Sequence, residues 1–200
     1  MGLAVLIIGL VVFLGGHVFV TRRDARAALI ARIGEVPYKA LFALVSILGV
    51  VLIVWGFAHA RAEGYGVPLW QSRPSWLPYL TELLVWPAFI LVTAAYIPGD
   101  IKRTLKHPML AGIKLWALAH LLSNSDPAGI ILFGSILAWA VYDRISLKRR
   151  TDAGAPPIPI GGRRNDMIAI VVGTILFVVI GLYHPVLFGP TVFGRPALGM

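Results

Sequence analysis

Apolar residues in this chain come in long unbroken blocks rather than in alternation or at a helical period. Gly2 to Val20 is the first, 19 residues without a charge and with one histidine, His17. Pro37 to Ala60 is the second, with His59 near its far end, and Leu77 to Ile97 is the third, interrupted by Glu82 and Pro87. Blocks of this length match what a helix needs to cross about 30 Å of hydrocarbon at about 1.5 Å per residue. A shorter block, His107 to Leu122, contains His107, Lys114 and His120. Sixteen residues cover about 24 Å, so such a helix needs shielding by its neighbours. Residues 128–145 and 167–183 complete a set of about six spans. The first block lacks a basic leader segment and a small-residue cleavage site, so it reads as a retained helix rather than a signal peptide.

The connections carry the polar residues. Thr21 to Glu35 is basic and reads as an amphipathic segment lying on the headgroups. Residues 61–75 form a Gly/Pro-rich loop whose Trp70, with Trp76 just beyond, suits the interfacial belt. Pro98-Gly99-Asp100 opens a basic loop with Lys102, Arg103 and Lys106. Asn124 and Asp126 suit a capped turn before Pro127. A linker rich in basic residues, proline and glycine precedes the sixth span, and the tail from His184 to Met200 has no periodicity. The expectation is an all-α polytopic membrane helix bundle, one domain over residues 1–200, with about six transmembrane helices.

Composition agrees and adds two constraints. The chain is 58% apolar and 14% charged, against about 45–50% and about 25% in soluble proteins. Cysteine is absent, which excludes disulfides, iron–sulfur clusters and thiolate-ligated haem. The net charge of +9 is distributed unevenly. Fourteen of the 18 Lys and Arg fall in or beside the first, third and fifth connections. Only Arg61, Arg73 and Arg195 lie in the second and fourth connections or at the termini, and Lys114 is inside a span. By the positive-inside rule the basic connections are cytoplasmic, and six spans put both termini outside the cytoplasm. The charge is then a topology signal with affinity for anionic lipid in the bilayer, and nucleic acid is not a partner.

Against this background the ionisable residues within spans carry the chemical information. All five histidines lie in spans or at their ends. The topology puts His17 and His107 near the cytoplasmic face and His59, His120 and His184 near the other. His107 and His120 are 13 residues apart, about 20 Å along a helix. That arrangement resembles diheme cytochrome b helices, which supply a ligand to each of two stacked haems, and neutral imidazole is a good axial ligand. Histidines at helix ends, such as His59 and His184, are ordinarily interfacial, and His107 suits an N-cap before Pro108. His17 and His120 are deeper and are the stronger candidates. Lys114, seven residues after His107 and six before His120, lies on a different side from either and is placed to neutralise a cofactor carboxylate or to pair with Glu82. Gly15-Gly16 beside His17 permits close approach by a helix or a planar ligand. Tyr38, Tyr96 and the tryptophans read as belt or packing residues. There is no phosphate loop, Ser/His/Asp arrangement or paired-carboxylate site.

Several motifs together carry a resemblance to a family. Gly15-Gly16-His17 is followed by a basic stretch, then Gly34-Glu35 and Tyr38. The block from His107 to Asn124, with His107-Pro108-Met109, Gly112, Leu115-Trp116-Ala117 and His120-Leu121-Leu122, is the specific part. These resemble the NnrU family of bacterial membrane proteins over nearly the whole chain. The resemblance implies the bacterial inner membrane and a link to nitrogen-oxide metabolism in denitrification. The family is similar to 15-cis-zeta-carotene isomerase, which uses haem b to isomerise a cis double bond. His17 and His120 match its ligand histidines, and His59 and His107 fall where it also carries histidines. Where that enzyme has a cysteine three residues before the second ligand, this chain has Ala117, so a cysteine-based ligand switch is unavailable. The resemblance pairs His17 with His120 on one haem, whereas depth pairs His17 with His107 and His59 with His120, which would suit two.

Three functions are open on these grounds. One is a haem b protein acting as an isomerase or redox partner on a hydrophobic small molecule or a quinone. A second is a membrane methyltransferase of the isoprenylcysteine carboxyl methyltransferase type. Lys106-His107-Pro108 resembles its Arg-His-Pro motif with the arginine replaced, and no downstream cofactor motif follows. The third is a non-enzymatic accessory or transport protein, although the inverted repeats usual in transporters are absent from the sequence.

Overall fold

A computed structural model describes residues 1–69, 74–149, 161–188 and 192–193. Regular structure among them is entirely helical: α1 (Gly2–Thr21), α2 (Arg23–Ile33), α3 (Glu35–Ala60), α4 (Leu77–Tyr96), α5 (Asp100–Leu105), α6 (Pro108–Ser123), α7 (Pro127–Lys148) and α8 (Gly162–Phe188). A π-helical turn, Arg61–Tyr65, extends α3. Five helices are long and apolar enough to cross a bilayer: α1, α3 with its extension, α4, α7 and α8. The sixth expected span is α6, apolar but only 16 residues long. The protein is an all-helical, multi-pass membrane protein.

Each expected span coincides with a helix, and α8 continues through Pro185 to Phe188. Glu82 and Pro87 do not interrupt α4; proline removes one backbone donor, a loss that neighbouring helices make tolerable in membranes. The basic loop after Pro98 contains the unforeseen α5. Trp70, Arg73, most of the basic linker and Arg195 in the tail lie outside the described residues.

The chain forms two compact units, each assembled from two separated stretches: residues 1–72 with 124–151, and 73–123 with 152–200. The first is organised by α1 and α3, which run antiparallel in close contact. A Cβ placed on Gly9 would come within 2.7 Å of the Ile53 backbone nitrogen, and one on Gly49 within 2.9 Å of Phe13 Cα. One on Gly56 would overlap the Leu6 backbone, lying 2.7 Å from its Cα. Gly2 meets Ala60 in the same way. These residues recur at steps of seven on each helix, which keeps one seam facing the partner as in a coiled coil. Glu63 accepts the Gly2 N–H at 2.9 Å and so caps α1. α7 packs on α1 and starts at Asp126, whose Oδ1 accepts the Gly129 N–H at 2.8 Å ahead of Pro127. This is the expected capped turn. α2 buries none of its residues and joins α3 through Gly34, whose φ of +85° favours glycine.

The second unit is organised by α4, which contacts α6 and α8. A Cβ on Gly112 would lie 2.7 Å from the Ala88 carbonyl oxygen, and one on Gly173 2.7 Å from Ile90 Cα. Thr81 hydrogen-bonds with Ser123 at the other end of the α4–α6 contact, and Trp86 Nε1 donates to Thr174 at 2.9 Å. Asp166 accepts the N–H groups of Asp100 and Ile101 at 3.1 and 3.0 Å and holds the start of α5.

Replacing Gly56 by Leu should lower stability by at least about 2 kcal/mol, because backbone rather than a flexible side chain opposes the added volume. Gly15→Ala, where nothing lies within 4 Å, should stay within about 0.5 kcal/mol of the parent. Thermal unfolding in one detergent compares them, and equal melting of both variants would remove the seam from this account. Asp166→Ala should accelerate amide hydrogen exchange at Asp100 and Ile101 and leave α1 and α3 unchanged.

Candidate functional site

Three histidines share one local geometry. His17 Nδ1 lies 2.8 Å from the Phe13 carbonyl oxygen, His59 Nδ1 2.8 Å from that of Trp55, and His120 Nδ1 2.9 Å from that of Trp116. A carbonyl oxygen only accepts, so Nδ1 carries the proton in each ring and the lone pair is on Nε2. Each accepting residue is aromatic and one helical turn earlier, where side chains share a face. Its ring also contacts the imidazole: centroids are 4.2 Å apart for Phe13 and His17, 3.9 Å for Trp55 and His59, and 4.8 Å for Trp116 and His120. An aromatic residue four positions before a histidine, three times over, is a sequence signal that the spacing of the histidines alone does not reveal.

In the first unit His17 is on α1 and half-buried among aromatic rings from three helices. Besides Phe13 it has Phe42 of α3 at 5.2 Å and the edge of Trp139 of α7 at 5.3 Å. Trp139 Nε1 and the Tyr38 hydroxyl are buried and have no hydrogen-bond partner among the described residues. Burial of Tyr38 makes it a packing residue rather than a belt residue. Neither group stood out in the sequence as functional. His59 lies in the last turn of α3, exposed and stacked on Trp55. The seam pairs α3's end with Gly2 and places Gly16 against Phe42 and Val45, so His17 and His59 occupy opposite ends of this unit.

In the second unit His107 immediately precedes α6, donates its N–H to the Leu105 carbonyl at 2.7 Å and accepts from Ala111 N–H at 3.3 Å. With Pro108 opening the helix, this is the expected helix-start position. His120 lies beside the α4 N-terminal end, since Thr81 also reaches the Ala119 carbonyl. The antiparallel pairing of α4 with α8 brings His184, packed on Phe188 at 4.9 Å, to that same end. Lys114 is half-buried and makes no ion pair among the described residues, so the expected pairing with Glu82 is not formed. Seven residues is nearly two full turns, so Lys114 falls on the His107 side of the helix axis rather than apart from both histidines.

No group of three or more His, Asp or Glu side chains converges on a metal position among the described residues. Haem iron makes no such demand, because the porphyrin supplies four donors and the protein one or two axial ligands. A histidine with Nδ1–H held by a carbonyl and its lone pair on Nε2 is in the usual state of a metal-binding imidazole. The donor set therefore fits haem.

Comparison with curated proteins and with solved structures returns no match. The family model described as NnrU protein matches residues 5–192, nearly the whole chain. The matched stretch runs from within α1 to beyond α8, and the chain belongs to the NnrU family.

Proposed function

We propose that this NnrU-family protein binds haem b and acts as an isomerase or redox protein on a lipid-soluble substrate or quinone in the bacterial inner membrane. A role in nitrogen-oxide metabolism and cytoplasmic placement of the basic connections belong to the same reading. The observation that carries it is the shared histidine geometry: Nδ1 bound to a carbonyl one turn back, which puts the lone pair of each ring on Nε2. His17 and His120 are the residues that would hold the haem iron.

Haem in such a site supplies an iron that can polarise an alkene or exchange an electron with a quinone. The chain's own residues do the positioning. Phe13, Phe42 and Trp139 exclude water around His17 and fix its ring plane. Trp139 Nε1 is an unmet donor beside it, matched to an acceptor brought by a ligand. Lys114 offers a cation within an apolar helix, suited to a cofactor carboxylate. His59 and His107 are further contact candidates at the ends of their helices.

The purified protein should show a Soret band with sharpened α and β bands on dithionite reduction. His17→Ala and His120→Ala should each lose most of that absorbance, while Tyr96→Phe, an exposed position, keeps it. The iron-to-protein ratio distinguishes one haem from two. A colourless protein that also fails to shift the spectrum of added haemin would overturn the proposal.

A further inference from the structure

The first unit contains a pocket that shares Phe42 with the surroundings of His17 but opens on polar groups the haem reading does not use. It lies where α1, α2 and α3 meet, lined by Gly16 and Phe19, by Leu29, and by Tyr38, Phe42 and Val45. Its volume is about 120 Å³, well under the roughly 300 Å³ at which enclosed small-molecule sites begin. A cavity this small and this apolar suits a length of hydrocarbon chain, not a compact ligand taken in whole.

Two polar features adjoin it. Tyr38 is 6% exposed, and its hydroxyl has no partner among the described residues, a costly state for a buried donor. The Arg26 guanidinium lies 5.7 Å from the centroid of the Tyr38 ring. Arg26 is exposed and makes no ion pair among the described residues. Its helix carries Arg23, Arg26 and Arg32 against a single acid, Asp24, with Arg22 just before it. An apolar slot, an unmet hydroxyl donor and a cation in succession match an amphiphile with a hydrocarbon tail, acceptor oxygens and a negative headgroup.

We propose that this pocket binds an anionic phospholipid, with one acyl chain between α1, α2 and α3, an ester or phosphate oxygen accepting the Tyr38 hydroxyl, and Arg26 holding the headgroup. Leu29 makes α2 one wall of the slot, so the lipid ties this otherwise unburied helix to the seam. The Tyr38 hydroxyl and Arg26, which carry this proposal, have no part in the haem reading.

Native mass spectrometry of the full chain, released from detergent containing equimolar phosphatidylglycerol and phosphatidylcholine of identical acyl chains plus ubiquinone, tests this. The expected result is one retained phosphatidylglycerol, favoured over phosphatidylcholine. Arg26→Gln should cut that preference about fivefold, the worth of one basic residue at an anionic surface. Arg32→Gln makes the same charge change away from the pocket and should leave the preference in place. Leu29→Trp, which fills the slot, should lower retention of both lipids, and Tyr38→Phe should lower that of phosphatidylglycerol. Equal retention of the two lipids overturns the proposal. So does an Arg32→Gln effect as large as that of Arg26→Gln, which would mean a diffuse basic surface. Preferential, Leu29-dependent retention of ubiquinone would reassign the pocket to a quinone.

Discussion

Two helices in a bilayer gain nothing by burying leucine against leucine, because lipid tails are as apolar as side chains. What holds α1 to α3 is contact close enough for backbone to touch backbone, and glycine permits it. Gly9, Gly49 and Gly56 each face atoms that a Cβ could not clear, and Leu6 and Phe13 fill the space opposite the last two. The seven-residue repeat keeps this seam continuous along both helices. The other features of the first unit are hung from it: α7 on α1, α2 over the end nearest Gly16, and the Glu63 carboxylate on the N-terminus of α1.

The seam also decides what the histidines can do. It sets His17 and His59 at opposite ends of one rigid pair, while α6 keeps His107 and His120 at opposite ends of another helix. An imidazole in an apolar helix must satisfy at least one nitrogen, and a carbonyl one turn back does so without recruiting a second polar group. That economy puts the lone pair of the ring on the other nitrogen. The aromatic ring supplied by the same earlier residue shields the hydrogen bond from competition by water.

Much of the fold was legible because the bilayer demands uniform things of a sequence. Length and apolarity located the helices that became α1, α3, α4, α7 and α8. His107-Pro108 and Asp126-Pro127 announced two helix starts through proline's lack of a donor. Relations between distant residues were not legible. The six-residue α5 depends on Asp166, 66 positions after Asp100, and nothing local marks it. Gly15-Gly16 drew attention as a doublet, yet a Cβ on Gly15 meets nothing and one on Gly16 makes only ordinary contacts. The glycines that matter to the α1–α3 seam are the solitary ones at seven-residue steps. For the candidate site, sequence supplied the histidines, while the orphaned Trp139 and Tyr38 donors emerge only once three helices are placed.

The interleaving of the two units has a consequence for how the chain is made. α1 and α3 leave the ribosome before α4 to α8 and can form their seam at once, since it needs none of those later helices. Their third partner, α7, arrives only after α4, α5 and α6 have been synthesised, and α4 and α6 in turn wait for α8. Each unit therefore passes through a stage in which three of its four helices have been made and one helix face still awaits its mate. A translation pause or truncation after α6 would strand both units in that condition, so α7 and α8 are the helices on which completion of each unit waits.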